Sequence, residues 1–223
     1  MNQFGNAVAR SESQILSTNK LIKNTYILLS MTLLFSAGIA GVAMVMNVPP
    51  LGFLVTLVGY IGLLFLTAKL RNSVWGLVSV FAFTGFMGLT LGPIINLYLN
   101  TFANGDQLVM TAMGGTGIIF LSLSGYALTT RKDFSFMGGF LLTGIMVMLG
   151  AVILSMFVNI PGLQLAISAV VVLLMSGFIL YDTSRMVNGG ETNYIMATVS
   201  LYINIYMLFT HLLHLLGAFA GED

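Results

Sequence analysis

Asp182 and Arg185 stand three residues apart in GFILYDTSRM (177–186), directly after a run from Leu163 to Leu180 that holds no charged side chain. A carboxylate at the end of so apolar a stretch can mark a boundary, pair with an arginine one helical turn away, or serve an ion path. The polar side chains expected near its depth are Tyr181 and Thr183 on the same stretch, and Asn204 and Tyr206 in the last apolar run. His211 and His214, the two histidines of the chain, share one helical face at a spacing of three. Two imidazoles without a third His or any Cys do not make a zinc site, so they are read as interfacial hydrogen-bonding groups or as a proton sensor. Ser124-Gly125 and Ser176-Gly177 carry the Ser-Gly pair of intramembrane proteases. A serine nucleophile needs a base at its own depth, and the histidines lie toward the opposite end of the last run. The 15 methionines are spread over the apolar runs without a repeated Met-x-x-Met pattern, which suits gap-filling better than a soft-metal path. No catalytic set, nucleotide loop, cofactor site or metal site stands out, and the expectation is a protein that is not an enzyme.

The elements that must position these groups follow from composition. Of 223 residues 57% are apolar and 7% charged, with a mean hydropathy of +0.98, whereas soluble domains are about a quarter charged. A membrane-crossing helix needs about 20 mostly apolar residues. Seven stretches qualify, at 26–46, 51–68, 74–97, 108–129, 136–158, 163–181 and 194–219. None alternates as a lipid-facing barrel strand would. Turn residues punctuate them: Asn47 with Pro49-Pro50, Asn72-Ser73, Asn104-Gly105-Asp106, Pro161-Gly162 and Asn188-Gly189-Gly190. The fold class is therefore all-α integral membrane, with the lipid bilayer as solvent for a domain spanning 25–223. Residues 1–24 are polar and read as a flexible arm; extended, they reach roughly 80 Å.

Charge sets the orientation. Arg10, Lys20 and Lys23 lie in the arm, Lys69 and Arg71 in the second connection, Arg131 and Lys132 in the fourth, and Arg185 in the sixth. These are all eight cations, and the alternate connections have none. The positive-inside rule then places the N-terminus in the cytoplasm and the C-terminus on the periplasmic side. The net charge of +1 says nothing about nucleic acid, because the cations are scattered rather than clustered, and no nucleic-acid partner is expected. Small residues four apart, Ala37 and Gly41, Gly88 and Gly92, Gly139 and Thr143, are expected to bring helix backbones close together.

FAFTGF (81–86), LGPI (91–94), LTTRKDFSF (128–136), LYDTS (180–184), GGETNYI (189–195) and ATVSLYINIYMLF (197–209) resemble the Bax-inhibitor family of seven-span membrane proteins. Within that family they are most similar to a bacterial inner-membrane branch that modulates the FtsH protease. The resemblance runs from about residue 25 to the end. It implies two three-helix layers around a central, C-terminal seventh helix. It also implies a partner, the FtsH protease complex, for which the N-terminal arm is the recognition handle. Conducting relatives carry a latch in which two aspartates, one late in the sixth helix and one in the seventh, share a proton and close a pore to calcium or protons. Asp182 matches the first position; the second falls on Asn204, in LYIN. Arg185 is a further candidate, and an arginine associated with the latch falls near Arg71. Arg131, Lys132 and Glu191, in the matched connections, are cytoplasmic candidates. An Asp–Asn pair lacks the like-charge repulsion of two carboxylates, so poor pH gating is expected. The alternative function is a pH-sensitive ion leak channel using Asp182, Arg185 and Glu191.

Overall fold

A computed structural model describes residues 2–158, 160 and 162–220, and side chains from residue 15 onward. Among the described residues there are seven α-helices and no strand: α1 (Asn2–Val45), α2 (Phe53–Leu70), α3 (Trp75–Thr101), α4 (Gly105–Thr130), α5 (Met137–Phe157), α6 (Leu163–Val187) and α7 (Tyr194–Ala220). Each is long and apolar enough to cross a membrane, with α1 doing so over Ile15–Val45. Helices are the solution because lipid offers no partner to an unpaired N–H or C=O. Large apolar side chains such as Leu34, Phe65 and Leu173 are 70–75% exposed on the outer surface, as lipid-facing residues must be. The expected turn at Pro161-Gly162 falls partly outside the described residues; Gly162 itself takes a left-handed φ of 76° before α6.

Helices α1, α2 and α3 pack together, as do α4, α5 and α6. Helix α7 touches α1, α3, α4 and α6, and its Leu201, Leu208 and Leu213 are fully buried. This is the expected arrangement of two three-helix groups about a central seventh helix.

Two boundaries differ most from the sequence expectation. Helix α6 runs to Val187 rather than 181, so Asp182 and Arg185 are inside the helix and not beyond its end. Side-chain partners, described below, let the helix carry these polar groups without stopping. The arm also enters α1 without a break, since the helix begins at Asn2. At 1.5 Å per residue, residues 2–24 then reach about 35 Å, less than half the extended estimate.

The small-residue seams are selective. A side chain at Gly88 would collide with the Ser36 carbonyl, and one at Gly92 with Ala43 and the Ala40 carbonyl, so this pair sets the close approach of α3 to α1. The α5–α6 seam uses Gly138 against Tyr181, Gly144 against Leu174 and Gly177 against Leu141. The expected pair Gly139 and Thr143 is exposed instead, and neither Gly41 nor Gly139 has an atom within 4 Å of a built Cβ. Gly92→Leu is therefore expected to destabilise the protein by about 1–3 kcal/mol through overpacking. Gly139→Leu stays within about 0.5 kcal/mol of wild type. Thermal unfolding in one detergent, compared across the two variants, checks this, and equal melting temperatures would refute the assignment.

Candidate functional site

Asp182 is half-buried on α6 and faces Asn204 of α7, which is only 6% exposed. The Asn204 Nδ2 donates to Asp182 Oδ2 at 2.8 Å. Apolar packing sets the register that makes this possible. Leu208, one turn along α7 from Asn204, shares a buried cluster with Ile179, one turn before Asp182 on α6. A hydrogen bond to a charged group contributes about 1.5–3 kcal/mol, which offsets part of the cost of holding a carboxylate at membrane depth.

Arg185 does not complete the contact. Its Nη2 donates to the Gly190 carbonyl at 2.8 Å, and its guanidinium lies 5.6 Å from the centre of the Tyr181 ring. The amides of Gly190 and Glu191 in turn donate to the Arg185 carbonyl at 2.8 and 3.2 Å. Closing the turn after α6 uses this residue, so the expected Asp182–Arg185 pair gives way to a turn clasp. Asp182→Ala is expected to leave the Asn204 amide buried and without its acceptor, at a cost of about 1–3 kcal/mol. A Tm in detergent indistinguishable from wild type would show that the contact contributes little.

The other candidates lie in a connected set of turns at the same end of the bundle. Asn193 Nδ2 donates to the Arg71 carbonyl at 3.1 Å and to Asn72 Oδ1 at 2.9 Å. Ser184 Oγ donates to the Lys132 carbonyl at 2.9 Å and accepts from the Phe134 amide at 2.9 Å. Glu191 Oε1 accepts the amides of Thr192 and Asn193, both at 2.8 Å, ahead of α7. Arg131 takes a left-handed φ of 51° as it ends α4. In the same connection the Ser135 amide donates to Asp133 and holds that carboxyl below the usual range. Arg71 and Lys132 thus contribute backbone carbonyls, Glu191 braces the turn ahead of α7, and Asn193 Oδ1 caps that helix by accepting the Met196 amide at 3.0 Å. Arg131 and Glu191 also line a cavity of about 680 Å³, walled on its far side by residues such as Ile15, Thr18 and Ile22 of α1.

Several polar groups that sequence reading did not pair meet inside the bundle. Tyr26 of α1 hydrogen-bonds to Ser124 of α4, and both approach Thr183 of α6, at 3.5 and 3.3 Å. The Tyr60 hydroxyl joins Thr90 at 2.7 Å and Tyr206 at 3.0 Å, and Tyr202 bonds to Ser36. Ser168 lies 2.8 Å from His214 Nδ1 and 3.0 Å from His211 Nδ1, tying α6 to α7 near their other ends. Ser176 donates to the Val172 carbonyl within its own helix at 2.7 Å. Neither Ser124 nor Ser176 has an imidazole beside it, so neither is set up as a nucleophile. Hydroxyls on otherwise apolar faces are the one sequence signal for these contacts; which hydroxyl meets which is decided by helix rotation.

Comparison with known proteins agrees with this architecture. The family model described as "Inhibitor of apoptosis-promoting Bax1" matches residues 18–221. The chain is 51% identical over 215 residues to the modulator of FtsH protease YccA of Escherichia coli, covering 96% of this chain and 97% of that protein. It is 52% identical over 221 residues to the Pseudomonas aeruginosa protein PA2604, covering 99% and 97%. A Vibrio cholerae membrane protein is 48% identical over 214 residues, covering 96% of each chain. The match takes in all seven crossings, the turns that stitch them together, and the helix pair that carries Asp182 and Asn204: the chain belongs to the Bax-inhibitor family.

Proposed function

We propose that this protein is a multi-pass inner-membrane regulator that modulates an FtsH-type ATP-dependent protease, acting as a binding partner rather than as an enzyme. The observation that carries the reading is 51% identity across nearly the whole chain to a protein named for that activity; its counterpart in another Escherichia coli strain, also 51% identical to this chain, is named an inner-membrane protein. The arm over residues 1–24 is the handle. The eight Lys and Arg residues are confined to the arm and three alternate connections, which supports a cytoplasmic N-terminus within reach of a protease acting from that side. In this reading helix α1 resists extraction. A pull on the arm passes straight into a helix packed against α3 and α7 and locked by the Gly88 and Gly92 seam. A partner that is engaged readily but extracted slowly occupies the protease and spares its other membrane substrates. Removing residues 2–20 tests the reading, with turnover of this protein and of a second substrate as the two measurements.

The Asp182–Asn204 contact favours a second reading, an ion leak at the α6–α7 seam with calcium or protons as the permeant ions. In this reading Asp182 and Asn204 are the latch and Arg185 stiffens the adjoining turn. The amide in place of a second carboxylate argues for a seam that stays shut near neutral pH, so the regulator is the reading preferred.

A further inference from the structure

Helices α1 and α4 are joined at one depth and parted at another. The Tyr26–Ser124 hydrogen bond holds them together toward the end that carries the basic turns. Beyond it they diverge around a cleft of about 660 Å³. The cleft is walled by Ala37 and Gly41 of α1 and by Met113 and Gly117 of α4, and floored by Tyr206 and Phe209 of α7. Its rim is open to the surrounding bilayer, where Leu34, Met110 and Met113 are 60–75% exposed. At its outermost point stands Asp106, exposed in the first turn of α4. None of the eight Lys and Arg residues belongs to a connection at that end.

We propose that this cleft is a lipid site: it takes one acyl chain of a phospholipid with a primary-amine headgroup, whose ammonium pairs with Asp106. Three observations select this occupant. Along α1 the cleft runs from Leu33 to Met44, about 16 Å at 1.5 Å per residue, which is about half of the ~30 Å hydrocarbon core. It therefore has the depth of a single leaflet, and the Tyr26–Ser124 contact blocks the other half. A partner's spanning helix, about 10 Å across and 30 Å long, would need roughly 2,400 Å³ and an open path through both leaflets. The lining is mostly apolar, as an alkyl chain requires, and the hydroxyls of Ser36, Thr116, Tyr202 and Tyr206 in it bond within the protein; its small residues leave room rather than packing, since nothing lies within 4 Å of a Cβ built on Gly41 or Gly117. Finally, a carboxylate with no cation beside it among the described residues attracts an ammonium headgroup and repels one that carries only a phosphate charge. The site is independent of the regulatory function proposed above; that reading only names the leaflet, which is the periplasmic one if the basic turns face the cytoplasm.

The test uses the purified full-length protein in nanodiscs with equal amounts of phosphatidylethanolamine and phosphatidylglycerol. Each lipid is supplied in turn as a probe with a photoactivatable acyl chain, and adducts are mapped by mass spectrometry. The expected result is labelling concentrated on the cleft segments around Met110 and Met113, several-fold stronger with the ethanolamine probe. Gly41→Trp, which fills open space, removes that labelling and leaves adducts elsewhere unchanged. Gly139→Trp, on another lipid-facing surface, does not. Asp106→Asn equalises the two probes without emptying the cleft. Uniform labelling around the lipid-facing surface, or cleft adducts that survive Gly41→Trp, overturns the site. Equal labelling by both probes in the wild type overturns the headgroup assignment.

Discussion

Deleting residues 2–20 lengthens the protein's half-life several-fold in cells that carry an FtsH-type protease, and it removes the protection given to other membrane substrates. Both effects follow from separating the handle from the body that resists. Proteolysis by an unfolding machine begins at a segment that can be gripped. The arm supplies it, with Arg10 and Lys20 in a polar sequence that precedes the uninterrupted apolar run of α1. Three contacts that hold α1 in the bundle lie beyond the deletion. Tyr26 meets Ser124, Thr198 Oγ1 donates to the Thr25 carbonyl at 3.3 Å, and Ser36 meets Tyr202. The truncated protein therefore keeps its seven crossings, and an unchanged melting temperature in detergent separates a lost handle from a lost fold. Pulse-chase turnover of the deletion variant, beside that of a second membrane substrate in the same cells, measures the outcome. Turnover equal to wild type in an intact bundle rules out the arm as the point of engagement.

Asn204→Asp has the second large effect, turning a silent seam into a pH-dependent leak. The wild-type contact sets an amide donor 2.8 Å from a carboxylate oxygen, and position 204 carries no charge of its own. With a carboxylate at both positions, two full charges at that distance repel by about 6 kcal/mol at an effective dielectric constant of ~20. The pair is stable only while it shares a proton. As the pH rises the shared proton is lost, the repulsion acts between α6 and α7, and the seam opens; as the pH falls the contact re-forms. Ion flux from proteoliposomes is therefore expected to be near background for wild type between about pH 6 and 8, and to rise with pH for Asn204→Asp. Strong wild-type flux that switches over this range and disappears in Asp182→Ala would instead make the protein a channel as it stands.

Sequence and structure divide along a physical line. The crossings, the basic ends of the alternate connections and the membrane class were legible in the sequence because each depends on a property summed along one stretch of chain. Twenty apolar residues commit a helix to lipid whatever they later touch, and charge asymmetry reads out loop by loop. The meeting of Asp182 with Asn204 was half legible: depth and family resemblance brought the two residues together, while their 2.8 Å contact depends on Ile179 and Leu208 setting the register. Other features were decided only by the tertiary structure. Arg185 turns to Gly190 rather than Asp182, His211 and His214 converge on Ser168, and Gly138 rather than Gly139 faces the α5–α6 seam. The cleft between α1 and α4 belongs with them. In water an amphipathic stripe announces which side of a helix is buried. In a bilayer the lipid is as apolar as the bundle interior, so hydropathy carries almost no information about rotation, and it is the rotation of each helix that chooses which hydroxyls, glycines and carboxylates meet.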